Sequence, residues 1–209
     1  MLLATTILPI TAMAGDENDP EITDNLNDQF GALAEHPNRI RTRIALVLLQ
    51  LDSFDFMDIN SAWFHEDEQE PDFLYATLKL KDLQLIPQDV IYTVRWTVNG
   101  EKYCVCSHIF NNGQNISCDV AFDRRRFTQP HEAEVTYNYD KDTVTFKINK
   151  KYFGDPQPGD LITKTWAWTA LRFNFEPLCL VFSDGELIKD VAPFLENNNV
   201  YGRDYQIVY

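Results

Sequence analysis

Trp166 and Trp168 sit two residues apart in the run Thr165-Trp166-Ala167-Trp168. At strand spacing, two such indoles share one face about 7 Å apart, where they can stack on sugar rings or fill a core. Trp63 and Trp96 pose the same choice, and Trp63 joins Trp166 and Trp168 as a candidate ligand-binding residue. Carboxylates are the second chemical resource. Asp55 and Asp58 precede one strand-like run, Asp72 lies in the next loop, and Asp190 falls near the C-terminal turns. Loop carboxylates gathered at one end of a β-domain are what calcium takes, since a hard cation needs six to eight oxygens. These four are the expected ligands of a structural calcium ion, although their spacing matches no EF-hand loop.

The chain has four cysteines, Cys104, Cys106, Cys118 and Cys179. The segment Phe110-Asn111-Asn112-Gly113-Gln114 suits a three-residue hairpin loop with Gly113 in the left-handed bulge position. That register sets Cys106 opposite Cys118 and predicts a cross-strand disulfide, leaving Cys104 to pair with Cys179, though four cysteines allow three connectivities. A zinc site is the rival, because Cys104, Cys106 and His108 share one face of a strand and Cys118 is close enough to join them. Asn115-Ile116-Ser117 is a glycosylation sequon at Asn115. Catalytic signatures are missing from the sequence. There is no GxSxG elbow, HExxH pair or GxxxxGK[ST] loop, and His36, His65, His108 and His131 are far apart along the chain.

Short strands must position these residues. Tyr92, Val94, Trp96 and Val98 alternate with Thr93, Arg95, Thr97 and Asn99, and Asn99-Gly100 supplies the positive φ angles of a two-residue hairpin turn. Trp96 then faces Tyr103 and Val94 faces Val105 across an apolar ribbon face. A second hairpin turning about Lys141 and Asp142 sets Tyr139 against Val144, Tyr137 against Phe146 and Val135 against Ile148. Strands are expected near 57–65, 73–82, 90–98, 101–110, 115–122, 132–139, 142–149, 163–174, 178–183 and 204–208, with a helical turn and loop over 149–160. The segment 40–51 fits a helix and a strand equally. Ten short strands at close intervals predict an all-β, antiparallel two-sheet sandwich of jelly-roll type.

Residues 1–14 carry no charge and close on Ala12-Met13-Ala14, the small-x-small pattern of a cleaved secretory leader. Residues 15–38 are acidic and aperiodic, an extended or loosely docked arm, and residues 39–209 form the sandwich domain. A leader implies a secreted protein in an oxidising compartment. The formal charge of −14 argues against nucleic acid as a partner, and no stretch is apolar for long enough to span a membrane.

Asp58-Ile59-Asn60-Ser61-Ala62-Trp63-Phe64, Glu70-Pro71-Asp72-Phe73-Leu74 and Leu78-Lys79-Leu80-Lys81-Asp82-Leu83 resemble the opening strands of microbial secreted β-sandwich domains. These are the DOMON-like and carbohydrate-binding-module-like jelly rolls, free-standing or appended to extracellular subtilisin-like proteases and adhesins. Tyr92 with Trp96, Pro158-Gly159-Asp160 leading into Thr165-Trp166-Ala167-Trp168, Asp190-Val191-Ala192-Pro193 and Gly202-Arg203-Asp204-Tyr205 extend the resemblance over residues 50–209. It implies a non-catalytic module that recognises an extracellular glycan or surface protein. The alternative is a structural subunit of the cell envelope or of a filament, self-assembling by strand addition through the acidic arm or an edge strand.

Overall fold

The computed structural model describes residues 15–26, 54–84, 89–110, 115–122, 131–172, 186–193 and 201–209. Their strands are β1 (Ile22–Thr23), β2 (Ile59–His65), β3 (Phe73–Leu80), β4 (Asp89–Val98), β5 (Glu101–Phe110) and β6 (Asn115–Phe122), followed by β7 (His131–Glu132), β8 (Glu134–Asn138), β9 (Thr143–Asn149), β10 (Leu161–Arg172), β11 (Glu186–Ala192) and β12 (Tyr205–Gln206). One antiparallel sheet has five strands in the order β1-β2-β3-β9-β8. The other runs β11-β10-β4-β5-β6-β7, with β12 also pairing β10. The expected all-β two-sheet sandwich is therefore the observed architecture.

The leader (1–14), the ambiguous segment 40–51, the expected strand 178–183 and Cys179 lie outside the described residues. Of the acidic arm, residues 15–26 are described, and they are docked. Ile22 faces Ala62 across the β1–β2 pair and is fully buried in the core. No helix among the described residues is long and apolar enough to cross a membrane.

Hairpin chemistry explains both the registers that match the sequence and those that do not. At β4–β5, Asn99 (φ 52°) and Gly100 (φ 80°) form the tight turn, and Trp96 pairs with Tyr103 and Val94 with Val105 as expected. Trp96 is a centre of the core, packing edge-on against Phe64 at 6.0 Å and Phe153 at 5.4 Å. At β8–β9 the register differs from the expected one by two residues. Tyr137 pairs with Val144 and Val135 with Phe146, because residues 139–142 all belong to the turn, with Asp142 at φ 54° and the Asn138 carboxamide oxygen accepting from the Lys141 N–H at 3.0 Å. A shift of two keeps every side chain on its face, so Val135 and Tyr137 still pack on the core.

At β5–β6 the shift is one residue, which matters more. The loop takes four residues, Phe110 pairs with Asn115, and Cys106 consequently faces Asp119 while Cys118 faces Ser107. Two cysteines expected to be register partners are not. No disulfide is formed among the described residues. β11 was not expected at all: Asp190, read as a loop ligand, lies in that strand in register with Thr169.

The last described segment is clamped across the end of the sandwich by a buried ion pair. Lys150, in the 3₁₀ turn Lys150–Phe153, and Glu66, just past β2, have side chains 5% and 1% exposed. The Lys150 ammonium donates to Glu66, to the Pro71 carbonyl at 2.6 Å and to the Tyr209 carbonyl. Glu66 also accepts from the Tyr205 hydroxyl at 3.0 Å and the Val208 N–H at 2.6 Å. Every ammonium proton and both carboxylate oxygens thus have partners, as burial of two charges requires.

Candidate functional site

In the five-stranded sheet, Ala62, Phe64, Leu74, Ala76, Leu78, Val144, Phe146 and Ile148 point inward and are buried. Strand alternation therefore sends Trp63 and His65 of β2, Phe73, Tyr75, Thr77 and Lys79 of β3, and Thr145 and Lys147 of β9 to the outer face. The register arranges them in rows. Trp63 lies beside Thr77, Thr145 and Thr136, and the next row holds His65, Tyr75, Lys147 and Glu134. The Thr77 and Thr145 hydroxyls are hydrogen-bonded at 3.1 Å, so the Trp63 row continues as a line of hydroxyl groups in which Thr77 is buried, 4% exposed, and Thr145 and Thr136 are more open.

The second row is held by charge. The Lys147 ammonium donates to the Glu70 carboxylate at 2.6 Å, and the Tyr75 hydroxyl donates to its other oxygen. The same ammonium sits 4.4 Å from the centre of the Phe73 ring and 6.0 Å from that of Tyr75, while His65 stacks on Tyr75 at 4.8 Å. Hydrogen bonds from Lys147 and then Tyr75 hold the Glu70 carboxyl below its ordinary pKa. Burial pulls His65 below its own, and its Nδ1 has no hydrogen-bond partner among the described residues. Trp63 differs from its neighbours. Its partly exposed indole makes no hydrogen bond, ring stack or cation contact with any described residue.

Trp166 and Trp168 occupy the opposite side of the molecule. Ala167 between them faces the core, and the two indoles lie on the outer face of the larger sheet, in register with Arg95 and Thr93 of β4. The Arg95 guanidinium is 4.5 Å from the Trp166 ring centre and 5.9 Å from that of Trp168. This face is closed: Ile91, Thr93 and Arg95 are 3%, 1% and 9% exposed, although they point away from the sandwich core. Of the four tryptophans, only Trp96 fills the core. The three candidates for ligand binding do not form one site, since Trp63 stands on one outer face and the other two on the other.

The expected calcium ligands separate in the same way. Asp55 and Asp58 converge on a cation, but that cation is Lys81, whose ammonium is 2.8 Å from Asp55 and 3.9 Å from the fully buried Asp58. Asp190 accepts the Ile59 N–H at 2.7 Å, a buried bond tying β11 to the start of β2. Asp72 is exposed in the β2–β3 turn, where its carbonyl accepts from the Lys150 N–H at 2.9 Å. Among the described residues no three His, Cys, Asp or Glu side chains are grouped to hold a metal ion. Cys104 is buried, and Cys106 accepts from the Thr93 hydroxyl at 3.6 Å. Asn115 opens β6, paired with Phe110.

No family model matches this chain, and no curated protein does either.

The sequence reading missed Arg95 as the partner of two tryptophans, and Lys147 and Glu70 as a pair. A signal for the second was present, because Phe73, Tyr75, Thr77 and Lys79 alternate with Leu74, Ala76, Leu78 and Leu80. That pattern marks a strand with one aromatic-polar face turned away from the core.

Proposed function

We propose that the chain is a secreted, non-catalytic module that binds an extracellular carbohydrate or similar surface polymer on the outer face of its five-stranded sheet. The observation that carries this reading is Trp63, a partly exposed indole with no hydrogen-bond, ring-stack or cation partner among the described residues, in one row with the half-buried Thr145 and the exposed Thr136. An aromatic plane flanked by hydroxyl groups offers stacking to the C–H face of a sugar and hydrogen bonding to its rim. The leader-like residues 1–14 and the resemblance of residues 50–209 to carbohydrate-binding-module-like domains point the same way. Retention of the folded protein on insoluble polysaccharides tests it. Trp63→Ala is expected to lower retention roughly tenfold, the loss of about 1.4 kcal/mol of contact energy, and Trp166→Ala to leave it unchanged. Loss with Trp166→Ala alone would move the site to the other face.

Assembly by strand addition is the second reading. It is favoured by β8, whose second edge meets no strand among the described residues. Sedimentation of the mature protein separates the two: concentration-dependent growth that Trp63→Ala does not affect supports assembly.

A further inference from the structure

We infer that the ligand of the Trp63 face is an uncharged glycan chain, read jointly by Trp63 and by the Glu70–Lys147 pair. This rests on the reading of that face as a glycan platform. A site for an anionic polymer needs cations it can spend on the polymer, and this face has none to spare among its described residues. Among the described residues of its strands, the two ammonium groups are Lys79 and Lys147. Lys79 donates to the Lys141 carbonyl at 2.5 Å and lies 3.4 Å from Glu17. Lys147 is held by Glu70 and lies against the rings of Phe73 and Tyr75. Glu134, in register with Lys147, adds a further carboxylate. His65 brings no compensating charge, because burial favours its neutral ring.

The wider field agrees. The chain carries a formal charge of −14, so uronate, sulfate or phosphate groups approaching this face would meet repulsion at long range and occupied lysines at short range. An uncharged glycan meets neither obstacle. The Glu70 carboxylate, fixed by two donors, is oriented to accept charge-assisted hydrogen bonds from hydroxyl groups. The Trp63 row and the Lys147 row are one two-residue strand repeat apart, about 7 Å. Two or more linked sugar rings reach across that step, whereas a single ring does not.

The test uses soluble polymers of matched backbone in affinity gel electrophoresis: hydroxyethyl cellulose against carboxymethyl cellulose, and neutral mannan against phosphomannan. The expected result is retardation by the neutral member of at least one pair, insensitive to added salt, with none by its anionic partner. Trp63→Ala should weaken it roughly tenfold. Glu70→Gln, which frees Lys147 from its counter-charge, should weaken retardation by the neutral polymer several-fold and create salt-sensitive retardation by the anionic one. Equal or stronger binding of the anionic member by the unaltered protein overturns the inference while leaving the glycan platform standing. Retardation by neutral polymer that persists undiminished in Trp63→Ala, or by no polymer of either kind, overturns the platform and this inference with it.

Discussion

The sandwich has tryptophan on both of its outer faces, and the two faces use it oppositely. On the larger sheet, Arg95 lies over Trp166 and Trp168, and even the outward residues of β4 are almost inaccessible. There the indoles serve as solvent for a cation that water reaches poorly, an interaction worth up to about 2 kcal/mol when desolvated. On the five-stranded sheet, Lys147 finds its rings in Phe73 and Tyr75 instead, and Trp63 is left over. An aromatic residue's spacing along a strand says little about its task. What the neighbouring strand puts beside it says more.

Substitutions separate the roles of the two faces, beginning with one that spares neither. Lys150→Met leaves the Glu66 carboxylate buried without its counter-charge at the end where the sheets meet, and should cost about 3–5 kcal/mol in urea unfolding. A loss under about 1 kcal/mol would mean the carboxylate is solvated in place. The next effect belongs to the edge of the five-stranded sheet. Burial raises the Glu21 carboxyl from 4.5 to about 7, against the opposing hydrogen bond from the Phe64 N–H. The folded state therefore holds this proton where the unfolded state has released it. Stability from this group is full below the unfolded value, falls as pH rises through the window from 4.5 to about 7, and is level above it. The drop should reach at most about 3 kcal/mol, and Glu21→Gln should remove it from the pH profile of thermal unfolding. Unchanged slopes in that variant would assign the dependence to other groups.

The third prediction is a pair of variants that addresses the contrast directly. Arg95→Ala should cost about 2 kcal/mol, through the lost ring contacts and the lost packing of its stem, and leave the proposed glycan binding intact. Trp63→Ala should cost less than about 1 kcal/mol of stability, as for a surface side chain outside the core, and weaken binding roughly tenfold. The reverse outcome would exchange the roles of the faces. Smallest of all, Thr145→Val removes the hydroxyl bonded to Thr77 and should cost about 0.5 kcal/mol, measurable by denaturant unfolding.

Much of the fold was legible because hairpin turns and alternation are local. Asn99-Gly100 announces its turn in two letters, and nine of the ten expected strands have counterparts among β2 to β6, β8 to β10 and β12. Registers were legible only where the turn type is unique. The β5–β6 and β8–β9 loops admit several lengths, and a miscount of one residue undid the argument that set Cys106 against Cys118. β11 escaped because Asp190 interrupts its apolar run, and only the Ile59 N–H, distant in sequence, explains a carboxylate there. The site was less legible still. Thr93, Arg95 and Thr97 alternate with apolar residues as a solvated face would, yet they are buried. Asp55 and Asp58 read equally well as metal ligands and as partners of Lys81, since charge composition does not say which cation arrives.

One two-residue strand has an outsized consequence for what else can join the sheet. β1 contributes only Ile22 and Thr23, but its neighbours continue the pairing by other means: the Asp24 N–H bonds the Asn60 carbonyl at 3.1 Å, Ile22 is in register with Ala62, and the Glu21 side chain takes the Phe64 N–H at 2.8 Å. These three positions are where β2 turns its backbone outward, because its alternate residues face β3. A carboxyl group thus stands in for the carbonyl of a longer strand and seals an edge that would otherwise template foreign chains. Above neutral pH, where Glu21 ionises against its burial, that seal is weakest, and misassembly through β2 should begin there.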